Sequence, residues 1–126
     1  LERGADIPAW QYADARREVD RLRQSIGQIF KDVDLLVLPT MKGPAGLLSG
    51  NTSSRGNNDV AFDVFGLPAV SVPCGFTASG LPLGIQIVGR HFDELTVLAL
   101  AHAYEQATEW HRRRPPLESY LGDKSA

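Results

Sequence analysis

Cysteine and methionine are nearly absent: the 126-residue chain holds one of each, Cys74 and Met41. A lone cysteine excludes an internal disulfide and fits a reducing compartment, so a cytoplasmic location is expected. With no second cysteine, and with His91, His102 and His111 at irregular spacing, the pattern of a zinc site is missing. Lysine is scarce as well, limited to Lys31, Lys42 and Lys124. None of them follows a phosphate-cradling glycine loop, and no serine occupies a G-x-S-x-G turn. The first residues do not read as a basic-then-apolar leader, and no apolar run is long enough to span a bilayer. A net charge of −2 gives no bulk attraction to nucleic acid or to an anionic membrane. Neither is expected as a partner, and no cofactor is implied. Asn51-Thr52-Ser53 matches the glycosylation sequon and reads as a chance match. The chain begins at Leu1 rather than Met, so upstream residues, or excision from a longer chain, are expected.

What is present describes one modest α/β domain over residues 1–126. Hydrophobic residues make up 43% and charged residues 22%, ordinary for a globular chain with a small core. Residues 8–32 carry Tyr12, Ala15, Val19, Leu22, Ile26 and Ile29 at three- and four-residue steps, a stripe that continues to Val33. That spacing predicts a long amphipathic helix, with Pro8 in its first turn and a solvated charged face. Leu35–Pro39 is a short continuous apolar run, which predicts a strand covered on both faces, as in a parallel sheet. Residues 41–59 are rich in Gly, Asn, Ser and Pro and predict a long loop of functional or mobile character.

The run Gly66-Leu-Pro-Ala-Val-Ser-Val-Pro-Cys-Gly-Phe76 predicts a second strand. Val70 and Val72 would share one face and Ser71 the other, with Pro73, Cys74 and Gly75 ending the pairing. Cys74 lacks the nearby helix start or cation that activates a thiol, so it is read as a small apolar residue at a strand end. Leu83, Ile85 and Ile87 alternate with Gly84 and Gln86, giving a third strand with one less apolar face and a hairpin with the second. Asp93 and Glu94 open a final helix reaching about Trp110, with Leu95, Val97, Leu98, Leu100, Ala101 and Tyr104 on a broad buried face. Arg112 to Arg114 sit at its negative end before Pro115 and Pro116, and residues 117–126 read as a polar tail. The residues by themselves give an α/β piece with no complete catalytic set.

Four stretches in series resemble the C-terminal part of the amidase signature family of hydrolases. They are Asp34–Thr40 (DLLVLPT), Phe62–Phe76 (FDVFGLPAVSVPCGF), Gly80–Gly89 (GLPLGIQIVG) and Tyr104–Trp110 (YEQATEW) followed by Pro115. The resemblance departs at Asp63, where asparagine is common, and at Lys42-Gly43, where a proline often follows the Pro-Thr pair. It implies a fragment of the amidase signature fold, a mixed β-sheet of about three strands flanked by two main helices. It implies a parent that hydrolyses carboxylic amides to acid and ammonia with a serine nucleophile, a second serine in a cis peptide and a lysine. Those residues belong to a Gly/Ser-rich signature that this chain does not contain, so no catalytic residue is assigned and the chain alone is expected to be inactive.

In that setting the 66–76 run is a structural strand beside the pocket. The expected substrate-binding residues are Asn58, Asp59, Phe62 and Asp63, because a long loop leads there into a strand. The implied partners are the remainder of an amidase chain and a small amide substrate. The ammonia-delivering A subunit of a glutamine-dependent amidotransferase is an alternative parent. A non-catalytic domain that binds a partner or a second copy of itself is the alternative outside the family, and the isolated piece is expected to dimerise.

Overall fold

A computed structural model describes residues 2–46 and 58–115. The middle of the expected 41–59 loop, the Asn51 sequon, Pro116 and the expected tail lie outside the described residues. A single turn, α1 (Glu2–Ala5), precedes the long helix α2 (Ala9–Ile26). Pro8 stands one residue before α2 with an extended backbone, and its carbonyl accepts the Tyr12 N–H at 3.2 Å. The α-helical geometry stops at Gly27 and tightens into a 3₁₀ stretch to Lys31. The charged face is solvated as expected: Arg17–Asp14, Arg21–Glu18 and Arg23–Asp20 are i,i+3 pairs. Exposed pairs of this kind contribute only a few tenths of a kcal/mol each. The hydrogen bonds from Arg21 hold the Glu18 carboxyl below its ordinary pKa.

Three strands form one sheet in the order β1-β3-β2: β1 (Leu36–Pro39), β2 (Ala69–Phe76) and β3 (Pro82–Val88). The expected hairpin is present, with β2 antiparallel to β3 through Ala69↔Val88 and Val72↔Ile85. β1 is also antiparallel to β3, from Leu36↔Val88 to Pro39↔Ile85. The parallel arrangement suggested by the continuous apolar run is therefore not what these strands adopt. Nor is β1 covered on both faces, because Val37 remains 55% exposed.

Helices pack on both sides of the sheet. On one side Ile26, Phe30, Leu67 and Val88 are buried together, with Leu36, Leu38, Phe62 and Phe65 against them. On the other side Val72, Ile87, Val97 and Ala101 form a second cluster, joined by Leu35, Val70, Ile85 and Tyr104. Val70 and Val72 thus share a face as their alternation requires, and Ser71 points to the opposite one. Arg90 ties the layers at one end, donating from Nη2 to the Phe30 and Val33 carbonyls at 2.9 and 3.1 Å.

Three elements differ from the sequence expectation. First, Asp59–Phe65 is a helix, α3, inside the stretch read as loop and strand entry. It ends at Gly66, whose φ of 71° is left-handed. The Gly66 N–H bonds to the Asp63 carbonyl and the Leu67 N–H to the Phe62 carbonyl, which closes the helix end. Second, Pro73 to Gly75 do not end the pairing. The register slips between Pro73↔Gly84 and Gly75↔Leu83, so Cys74 is the extra residue of a β-bulge and the strand runs on to Phe76. Third, α4 (Glu94–Ala107) is shorter than expected, and only Val97 and Ala101 on it are buried. Leu95 is 83% exposed and Leu98 57%, so the broad face is half uncovered.

Candidate functional site

β1, β2 and β3 come together at one end of the sheet, where β1 leaves toward residue 41 and the hairpin turns. A cleft of about 450 Å3 opens there between Pro39, Met41, Cys74, Pro82, Leu83 and Ile85. Its wall is mostly apolar, with Lys42 also lining it. The bulge creates part of this wall by placing Cys74 out of the ladder, half-buried, with a free thiol. Among the described residues no group of three or more His, Cys, Asp or Glu is placed to hold a metal ion. No described helix is long and apolar enough to cross a membrane.

Around the same end, on the face that carries α2 and α3, the sheet is polar. Thr40 continues β1 by giving its N–H to the Gly84 carbonyl at 3.0 Å. Its hydroxyl meets the Ser71 hydroxyl at 2.6 Å. Gln86 lies opposite Ser71 in the register and is 4% exposed. The pattern that marked this face was already present in the alternation of Gly84 and Gln86 with Leu83, Ile85 and Ile87. What the alternation did not show was that Thr40, from the far strand, joins it.

The four expected substrate-binding residues fall at the start and middle of α3. Asn58 precedes the helix and donates from Nδ2 to the Pro39 carbonyl at 2.7 Å, tethering α3 to the end of β1 beside Thr40. Asp59 is the first helical residue, and its side chain lies outside the described residues. Phe62 is half-buried and packs on the Ile26–Phe30–Leu67–Val88 cluster, while Asp63 is exposed on α3. The structure therefore brings Asn58 to the sheet end, and turns Phe62 into the core.

The Amidase family profile matches residues 3–98. The chain belongs to the amidase family. Over 112 residues it is 39% identical to the glutamyl-tRNA(Gln) amidotransferase A subunit of Geobacillus thermodenitrificans, covering 84% of this chain and 23% of that one. The corresponding protein of Bacillus pumilus is 41% identical over the same extent. Among solved structures, 6-aminohexanoate cyclic dimer hydrolase superposes with a TM-score of 0.76 at 27% identity, over 92% of this chain and 28% of that one. This amidase chain thus spans under a quarter of the length of the curated relatives it matches. The α/β architecture expected from the four stretches is the one it shares with amidase signature structures.

Proposed function

We propose that this chain is the C-terminal portion of an amidase that hydrolyses carboxylic amides to acid and ammonia. The observation that carries the reading is the family match over residues 3–98, combined with a span of 23% of the matched relatives. In this reading the serine nucleophile, the second serine and the lysine are supplied outside these residues. The chain completes the sheet and lines the pocket with Asn58, Asp59 and Asp63, while Phe62 packs beneath them on the core. Alone it turns over no amide. The scarcity of cysteine supports a reducing, cytoplasmic setting.

Replacing Asp63 by alanine in the complete chain that carries this segment changes KM or the ranking of amide substrates several-fold. In this reading the exposed Asp63 carboxylate contacts the substrate and acts on its binding more than on a distant bond-breaking step. Steady-state kinetics on a panel of small amides checks this. Unchanged constants across the panel remove Asp63 from the pocket.

A second reading has its own support. The relatives at 39% and 41% identity are A subunits of an amidotransferase, which favours a parent that works with a partner protein over a free-standing amidase. Turnover of glutamine that rises only when such a partner is added would select it.

The exposed apolar surface makes a further expectation. Phe92 is 95% exposed, Leu95 and Leu98 follow it on α4, and Trp10 is bare on α2. β1 and β2 are both edge strands without a charged residue, an arrangement that pairs readily with another chain. The isolated chain is therefore expected to sediment as a dimer. A clean monomer at high concentration in sedimentation velocity counts against self-association.

A further inference from the structure

The cleft where β1 leaves the sheet and the hairpin turns is uneven in its chemistry. Its volume of about 450 Å3 is in the range of pockets that take small organic molecules. Pro39, Pro44 and Pro82 line it, and none of them has a backbone N–H to offer. Leu83 and Ile85 contribute branched carbon, while Met41 and Cys74 contribute sulfur, a weak hydrogen-bonding group at best. Lys42 is the one charged side chain among the described lining residues. It is exposed, and among the described residues no carboxylate pairs with it. Asn58, Phe62 and Asp63 are not in this wall.

Different ligands fare differently there. A strongly polar molecule gives up water and finds a single strong side-chain donor in return, so it loses hydrogen bonds on entry. A cation meets the like charge of Lys42. A phosphate monoester carries close to two negative charges near neutral pH, against one ammonium. A monocarboxylate with a saturated chain avoids all three penalties. Its chain leaves water for the proline, leucine and isoleucine wall, a gain that grows with each methylene. Its one charge meets the one cation, in a pair that stays partly in water and adds only a modest increment.

We propose that this cleft is a binding site for an apolar monocarboxylate, with the chain against Pro39, Pro82, Leu83 and Ile85 and the carboxylate at Lys42. The site goes beyond the amidase reading, because it is defined by binding and needs no turnover. The wall sets the affinity, and Lys42 sets the preference for an acid over the matching alcohol. Cys74 reports occupancy, since its free thiol is half-buried in the same wall.

The test titrates the complete chain that carries this segment with butanoate, hexanoate, octanoate and 1-octanol, followed by ligand NMR. Each added methylene is expected to strengthen binding about fourfold. Octanoate is expected to bind up to about fivefold more tightly than 1-octanol. Lys42→Gln should abolish that difference without weakening 1-octanol, and Lys42→Arg should keep it. Alkylation of Cys74 by iodoacetamide, read by peptide mass spectrometry, should slow about tenfold when octanoate is at about ten times its Kd. Phe92→Ser should change none of these values, because Phe92 belongs to the exposed apolar surface beside α4 and not to the cleft. Affinity that does not rise with chain length, or an octanoate preference that survives Lys42→Gln, overturns the site. So does a Cys74 that alkylates at the same rate with and without octanoate, which would place the ligand elsewhere. A Cys74 already shielded in the ligand-free complete chain would mean that the rest of the chain fills the cleft, and overturns the site as well. Each of these readouts is independent of amide turnover, so a failure of the amidase reading shows separately.

Discussion

Shortening Ile87 to alanine lowers the unfolding free energy of this chain by about 2–5 kcal/mol. Ile87 is 1% exposed and sits in the central strand, enclosed by Val72, Val97 and Ala101 with Val70, Ile85 and Tyr104 around them. Truncation removes the transfer free energy of the lost carbons and leaves a cavity that helix and sheet cannot both close. Domains are stable by only about 5–15 kcal/mol, so this single change removes a large fraction of the total. Leu95→Ala is the matched control, because that side chain already lies in water and its loss should stay within about 0.5 kcal/mol. Urea titration of the two variants checks the contrast. A cost below about 1 kcal/mol at Ile87, or equal costs at both sites, would mean that α4 does not pack on β3 as described.

A methyl group added at Gly89 is the second large effect. Gly89 is buried where β3 hands over to the turn before α4. A Cβ there would lie 2.5 Å from Val97 Cγ2 and 3.4 Å from the Asp93 carbonyl oxygen. Real Cβ atoms do not approach so closely, so something must move. Val97 has little freedom to do so, being β-branched and itself buried. Overpacking of this kind costs about 1–3 kcal/mol. Because the clash is with one atom, Val97→Ala should relieve it. The double variant Gly89→Ala/Val97→Ala is then expected to be more stable than the sum of the two single losses predicts, with a coupling of about 0.5–3 kcal/mol. Strict additivity would place the strain elsewhere.

These two sites show how unevenly the fold could be read from the residues. The alternation Leu83–Ile87 announced a strand with unequal faces, and the pairing with Val70 and Val72 follows from it. The residues did not show that the seven positions before Gly66 form a helix. Asn58 and Asp59 close a stretch rich in loop formers, and two turns are too few for a helical period to stand out. Cys74 was expected at a strand end but is the extra residue of a bulge inside β2, since a register slip depends on how two strands align and not on either one alone. Of the four expected pocket residues, Asn58 is tethered at the sheet end and Phe62 is in the core. Nothing in the local pattern separates a phenylalanine that faces a pocket from one that faces a neighbouring helix.

The two long helices and the hairpin were legible in the residues because periodicity and the residue types at turns are local and leave little choice, and the family was legible through the resemblance of four ordered stretches. Tertiary structure alone decided three things: which half of α4's apolar stripe is covered, that β1 joins β3 antiparallel, and that the hydroxyls of Thr40 and Ser71 meet over Gly84. Each of these depends on the approach of segments tens of residues apart, and distance along the chain carries no information about which side chain fills the space between them.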